Sequence, residues 1–152
     1  MIKILFVCHG NIFRSPMAEC VLQDMLVKNG LAGQIEVSSA ATSTEEIGNP
    51  VHPGTLRVLR KQGITSCDHR AVQLTQADYT HYDLIVGMDS ANLRNILRIT
   101  GGDVKGKVHR LLDFTNTPGE IADPWYTGDF DATFCDVYAG CLALLERVKK
   151  QG

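Results

Sequence analysis

Ile2-Lys3-Ile4-Leu5-Phe6-Val7-Cys8-His9-Gly10-Asn11-Ile12-Phe13-Arg14-Ser15-Pro16 carries three local signals in a row. The β-branched and aromatic run at residues 2–7 predicts a strand. His9-Gly10-Asn11 predicts a tight turn, since Gly10 and Asn11 both tolerate left-handed dihedrals. Ser15-Pro16 then opens a helix, because proline suits a first turn whose amides have no partner anyway. Met17, Val21 and Met25, with Ala18, Leu22 and Leu26, keep helical spacing until Gly30 ends the run.

The alternation continues outward from that unit. A second short strand is expected at residues 35–39, followed by a Gly48-Asn49-Pro50 loop and a helix from about Pro53 that Gly63 stops. Leu84-Ile85-Val86 reads as the third strand, and Asp89 or Ser90 can cap a helix bearing Leu93, Ile96 and Leu97. A fourth strand near residues 108–111 precedes a loop with Pro118 and Pro124. The last helix is the clearest, since Phe134, Val137, Tyr138, Cys141, Leu144, Leu145 and Val148 hold one face over several turns. Strands alternating with helices imply right-handed crossovers and a parallel sheet covered on both faces, an α/β three-layer sandwich. Ligands of such sheets bind beyond the carboxyl ends of the strands, which singles out the loop after the first strand.

At 152 residues, without repeats or a long Pro/Gly/Ser linker, the chain reads as a single domain over residues 1–152. A net charge of −2 offers no long-range field for nucleic acid or anionic lipid, so any anion site must be local. Neither nucleic acid nor a membrane is an expected partner. The apolar opening run is too short for an export signal and Lys3 interrupts it; no stretch approaches the roughly 20 apolar residues that would span a bilayer. Cys8, Cys20, Cys67, Cys135 and Cys141 are odd in number and form no CxxC pair. They do not read as a disulfide framework, which fits a cytoplasmic location. Beyond Cys8 they are expected to be small core or surface residues.

Cys8 and Arg14 bracket five residues between the first strand and the first helix. Turn amides and the positive end of a helix can converge on an oxyanion, and a guanidinium fork can close the cradle over two phosphate oxygens. Donors that favour a thiolate at the cradle floor would also stabilise charge developing on a phosphoryl group. Ser15 can donate its hydroxyl to the sulfur.

Val7-Cys8-x-Gly10-Asn11-Ile12-x-Arg14-Ser15-Pro16 resembles the signature of the low-molecular-weight protein tyrosine phosphatases. The resemblance runs nearly end to end through Ser39-Ala40-Ala41, Ile47-Gly48-Asn49-Pro50, Asp83-Leu84-Ile85-Val86 with Met88-Asp89, and Asp123-Pro124-Trp125-Tyr126. It implies a four-stranded parallel sheet of order 2-1-3-4, flavodoxin-like or Rossmann-like, and a cysteine-dependent phosphoric monoester hydrolase. It further implies that Cys8 is the nucleophile, that Arg14 orients phosphate, and that His9, Gly10, Asn11, Ile12, Phe13 and Ser15 complete the phosphate loop. Asp123 would be the general acid that protonates the leaving phenol and later takes a proton from water. His69 lies where the family braces the loop asparagine, and Trp125 and Tyr126 would wall the cleft. No metal or cofactor is expected, the partners would be phosphotyrosine proteins, and the chain would act as a monomer or weak dimer.

Three departures qualify the resemblance. Phe13 stands where many relatives have a second loop cysteine, so peroxide is expected to drive Cys8 past sulfenic acid. Glu45 occupies a rim position where relatives often carry an aromatic residue, and should disfavour acidic phosphopeptides. Ile12 replaces the threonine typical of relatives acting on phosphoarginine, which favours phosphotyrosine. Three rivals stay open: a protein arginine phosphatase, a thiol-dependent arsenate reductase, for which residues 83–92 supply no convincing relay cysteine, and a silent phosphoprotein-binding module.

Overall fold

The computed structural model describes residues 1–151. Its first strand, β1 (Ile2–Cys8), sends Ile4, Phe6 and Cys8 into one apolar cluster and Leu5 and Val7 into another. Strand side chains alternate, so a strand apolar at every position from 4 to 8 must be covered on both faces. β1 accordingly lies inside a parallel sheet, between β2 (Ile35–Ala41) and β3 (Leu84–Gly87), with β4 (Val108–Arg110) beyond β3. The order β2-β1-β3-β4 is the predicted one.

One face is covered by α1 (Arg14–Lys28), α2 (Pro53–Lys61) and α6 (Phe130–Gln151), and the other by α3 (Gln76–His81) and α4 (Ser90–Thr100). The stripes on α1 and α6 read from the sequence are buried, except Tyr138, which is 44% exposed. Tyr138 lies at the stripe's edge against Phe134, with ring centroids 5.8 Å apart, which suits a residue with an apolar ring and a polar tip. Gly140 lets α6 press onto a 3-10 turn at Leu111–Phe114, since a methyl group there would overlap Leu111.

Two elements escape sequence periodicity. α3 has six residues, none buried, and is announced only by a capping box between Thr75 and Asp78. α5 (Pro124–Thr127) is a single turn capped by Asp123, whose carboxylate accepts from the Trp125 amide at 3.0 Å. β2 runs two residues further than predicted, and β4 stops at Arg110 because Leu111 enters the 3-10 turn.

The cysteines require a correction. Cys20 on α1 and Cys67, in the irregular segment after α2, form a disulfide with Cα atoms 5.6 Å apart. The partners are 47 residues apart and meet only because that segment folds back on α1, so spacing along the chain carries no sign of the bridge. Cys8 and Cys141 are free and buried, and Cys135 is free and exposed. Burial pushes the Cys141 thiol far above its ordinary pKa.

Candidate functional site

β1 delivers Cys8 to the carboxyl edge of the sheet, and α1 begins at Arg14 without a side-chain cap. The helix end turns to the sulfur instead. The Ser15 amide is 3.4 Å and the Ser15 hydroxyl 3.0 Å from Cys8 Sγ. Among the described residues, the N–H groups of residues 9–13 find no backbone acceptor. Unpartnered amides together with a helix N-terminus favour negative charge at this point.

Asn11 makes the sharp turn at φ +60°, the one non-glycine residue with positive φ among the described residues. Gly10 does not share that conformation, contrary to expectation. A Cβ at Gly10 would meet Glu46 Cγ at 3.4 Å, an ordinary contact, so neither dihedral nor space demands glycine here. Strain at Asn11 is offset by complete use of its buried amide. Nδ2 donates to Ser15 Oγ at 2.8 Å and to Ser39 Oγ at 2.9 Å, while Oδ1 accepts from His69 Nε2 at 2.7 Å and from the Val72 amide at 3.1 Å.

These bonds set the direction of the protons. Ser39 spends its own hydrogen on Glu19 Oε1 at 2.6 Å, and Ser15, already accepting from Asn11, keeps its hydrogen for the sulfur. His69 Nε2 must carry a hydrogen to serve Asn11 Oδ1, and its Nδ1 lies 3.5 Å from Glu19 Oε1. Burial raises the Glu19 pKa above its ordinary value, and the Ser39 hydroxyl and nearby His69 pull back against that rise.

Arg14 is 2% exposed. Nη1 donates to Asp89 Oδ2 at 2.7 Å and to the Ile121 carbonyl at 2.9 Å, and Nη2 is 3.5 Å from Asp123 Oδ2. Burial works against its charge, but Cys8, Asp89 and Asp123 outweigh it and raise its pKa. Asp89 divides its carboxylate, since Oδ1 caps α4 at the Asn92 amide, 2.7 Å away.

Cys8, His9, Gly10, Phe13, Arg14 and Asp123 line a cleft of about 370 Å³, which Glu45, Glu46, Asp89, Trp125 and Tyr126 also border. Trp125 and Tyr126 are 70% and 84% exposed. Glu45 Oε2 lies 3.2 Å from His9 Nε2, both at the surface. Phe13 packs against His52, Phe130 and Trp125, with ring centroids 4.6, 5.8 and 6.2 Å away. Ile12 is buried and does not border the cleft. A larger hollow of about 690 Å³ among Met1, Ile2, Leu31, Ile35 and Val148 holds neither a nucleophile nor an acid. Among the described residues no cluster of three His, Cys, Asp or Glu side chains is placed to hold a metal ion.

The structure thus gathers the residues singled out from the sequence around one sulfur, although Asn11, Ile12, Ser15 and His69 do not line the cleft itself. Sequence reasoning missed three participants. Asp89 was read as a helix cap and as part of a resembling segment, and Ser39 only as part of such a segment. Glu19, 7% exposed, lies one helical turn after Ser15, a spacing that put it on the site side of α1.

The family model for low molecular weight phosphotyrosine protein phosphatase matches residues 3–152. A low molecular weight protein-tyrosine-phosphatase of Bacillus subtilis, YfkJ, is 38% identical over 153 residues, covering 99% of this chain and 98% of its own. The PtpA phosphatase of Staphylococcus epidermidis is 36% identical over 151 residues, covering 99% and 96%. The YfkJ crystal structure superposes with a TM-score of 0.96 at 38% identity, covering 99% of this chain and 96% of that one. A protein tyrosine phosphatase structure from Entamoeba histolytica gives 0.91 at 26% identity, covering 99% of both chains. With its sheet, its loop and nearly its whole length matched, this chain belongs to the low molecular weight protein-tyrosine-phosphatase family.

Proposed function

We propose that the chain hydrolyses phosphotyrosine and small aryl phosphates through a phosphocysteine on Cys8. The observation carrying this reading is the convergence on Cys8 Sγ of the Ser15 amide and hydroxyl, in a cleft shared with Arg14 and Asp123. Loop amides and the Arg14 guanidinium hold the phosphoryl oxygens, and the Cys8 thiolate attacks phosphorus opposite the phenol oxygen. A sulfur–phosphorus bond forms as the phosphorus–oxygen bond breaks, and Asp123 gives its proton to the departing phenolate. Water then attacks phosphorus, Asp123 takes its proton, and sulfur leaves as a thiolate that the Ser15 hydroxyl receives. Trp125 and Tyr126 offer apolar surface to the ring, and Glu45 selects against acidic flanking residues. Protein phosphotyrosine in the cytoplasm is the proposed substrate, and a monomer or weak dimer the acting form.

Aryl phosphate turnover is measured with and without chelator for the wild type, Cys8→Ser and Asp123→Ala, with acid quenching to trap the phosphoenzyme. The expected pattern is no chelator effect, no turnover by Cys8→Ser, and slow turnover by Asp123→Ala. Substantial activity of Cys8→Ser, or a trapped phosphate on another residue, would overturn the mechanism. Phosphotyrosine and phosphoarginine peptides assayed side by side test the substrate.

A further inference from the structure

We propose that Cys20 and Cys67 form a thiol–disulfide exchange site whose state governs how firmly His69 holds Asn11, an inference that rests on the phosphatase reading above. Residues 65–70 have no helix or strand, and Thr65, Ser66, Asp68 and Arg70 are exposed. One end of this segment is held by buried Ile64, and the other by Arg70, which bridges to Pro50 and donates to the Gly48 carbonyl at 3.0 Å. Between these anchors the segment meets α1 twice at almost the same level. Cys67 is bonded to Cys20, and His69 approaches Glu19, the neighbour of Cys20. The same imidazole donates to Asn11 Oδ1 at 2.7 Å, and Asn11 directs the Ser15 hydroxyl beside Cys8 Sγ. Opening the bridge leaves His69 held by its hydrogen bonds, on a segment then anchored only at Ile64 and Arg70 and freer to fluctuate between them.

Exposure decides the chemistry of exchange. Cys20 is 3% exposed and Cys67 is half-buried, so an external thiolate attacks the Cys67 sulfur and expels Cys20 as a thiolate, which takes a proton. A second thiolate then attacks the external sulfur of the mixed disulfide and releases Cys67. Two electrons and two protons pass from two thiols, or one dithiol, to the protein. A low-molecular-weight disulfide reverses both steps and leaves as two thiols. Cys8 takes no part, and because the other loop position is Phe13, its own oxidation is a separate reaction.

The bridged wild type is prepared with oxidised glutathione while inorganic phosphate protects Cys8, then desalted. The reduced form is made with dithiothreitol. Titration in denaturant should count three thiols in the first (Cys8, Cys135 and Cys141) and five in the second. Reduction is expected to lower kcat for an aryl phosphate about fivefold and to weaken inhibition by phosphate, with circular dichroism unchanged. Reoxidation should restore both. Cys67→Ser, and Cys20→Ala/Cys67→Ser should the single variant fold poorly, should behave as the reduced form under all conditions. In a His69→Ala background, reduction should produce no further fall. Equal kcat and equal phosphate inhibition in the two states would overturn the proposal, as would an undiminished response to reduction in His69→Ala. Absence of turnover in every form would instead strike the phosphatase reading.

Discussion

His69 Nε2 donates to Asn11 Oδ1 over 2.7 Å, tying a segment 58 residues downstream to the turn that cradles Cys8. Replacing His69 with Ala leaves that buried oxygen with the Val72 amide alone. A lost partner of this kind costs about 1–3 kcal/mol, which urea denaturation should show. Turnover should fall about tenfold with a smaller change in KM, because the loop donors lose their aim. Unchanged turnover would mean that the loop keeps its shape without the imidazole.

Arg14 tests a different support. Asp89→Asn keeps the cap on α4, since asparagine caps as well as aspartate, yet removes a carboxylate 2.7 Å from the guanidinium of a buried side chain. Stability should drop by about 1–3 kcal/mol, less than for complete isolation of a buried charge because Asp123 and the Ile121 carbonyl remain. Asp89→Ala should cost about 1 kcal/mol more through the lost cap. Equal stability of the two variants would show that the cap contributes nothing.

Glu19 gives a pH signature. Its pKa is raised by burial above the ordinary 4.5, so in the interval between, folded protein holds a proton that the unfolded chain has released. Stability from this group is therefore fullest at or below the ordinary value and is lost as pH rises through the raised one. Glu19→Gln abolishes the titration while leaving Oε1 to accept from Ser39. The stability of the variant minus that of the wild type, measured by denaturant titration, should climb with pH across that window and level off above it. A flat difference would place the Glu19 carboxyl in the ordinary range.

Gly54 lies under the Phe130 ring, where an added Cβ would be 2.5 to 2.7 Å from three ring carbons. Gly54→Ala should cost about 1–3 kcal/mol by overpacking. Because Phe130 also packs on Phe13 and His52, KM for aryl phosphates should rise. Phe130→Leu in the same chain should recover part of the loss, and simple addition of the two single effects would show that the contact is slack.

Glu45→Gln should raise kcat/KM for phosphotyrosine peptides with acidic flanks by about two- to fivefold at low ionic strength, an effect that salt removes. Peptides with neutral flanks should be indifferent. If acidic peptides gain nothing, the His9 partner already masks the charge of Glu45.

The fold was legible because its signals are local and repeated. Ile4 to Cys8 are apolar without a break, and with their β-branched content and the glycine turn that follows they suit an interior strand, while the α1 and α6 stripes span several turns. The loop was legible because a glycine turn between a cysteine and an arginine has few structural uses. What stayed hidden depends on long-range geometry. Asp89 divides one carboxylate between a helix end and a guanidinium, and only the first half leaves a local mark. Ser39 and Glu19 acquire their roles when β2 and α1 come together around Asn11. The Cys20–Cys67 bridge was invisible for the same reason, whereas α3 and α5 escaped because four to six residues are too few to show a period.

Cys8 shares its row of side chains with Ile4 and Phe6, on the strand that pairs with neighbours along both edges. Parity then guards the sulfur: slipping β1 by one residue would turn it toward α3 and α4 and exchange the Ile4-Phe6 row with the Leu5-Val7 row, disrupting both clusters. The reactive atom is therefore as hard to misplace as the nucleus of the fold itself, and fraying of surface loops cannot carry it away.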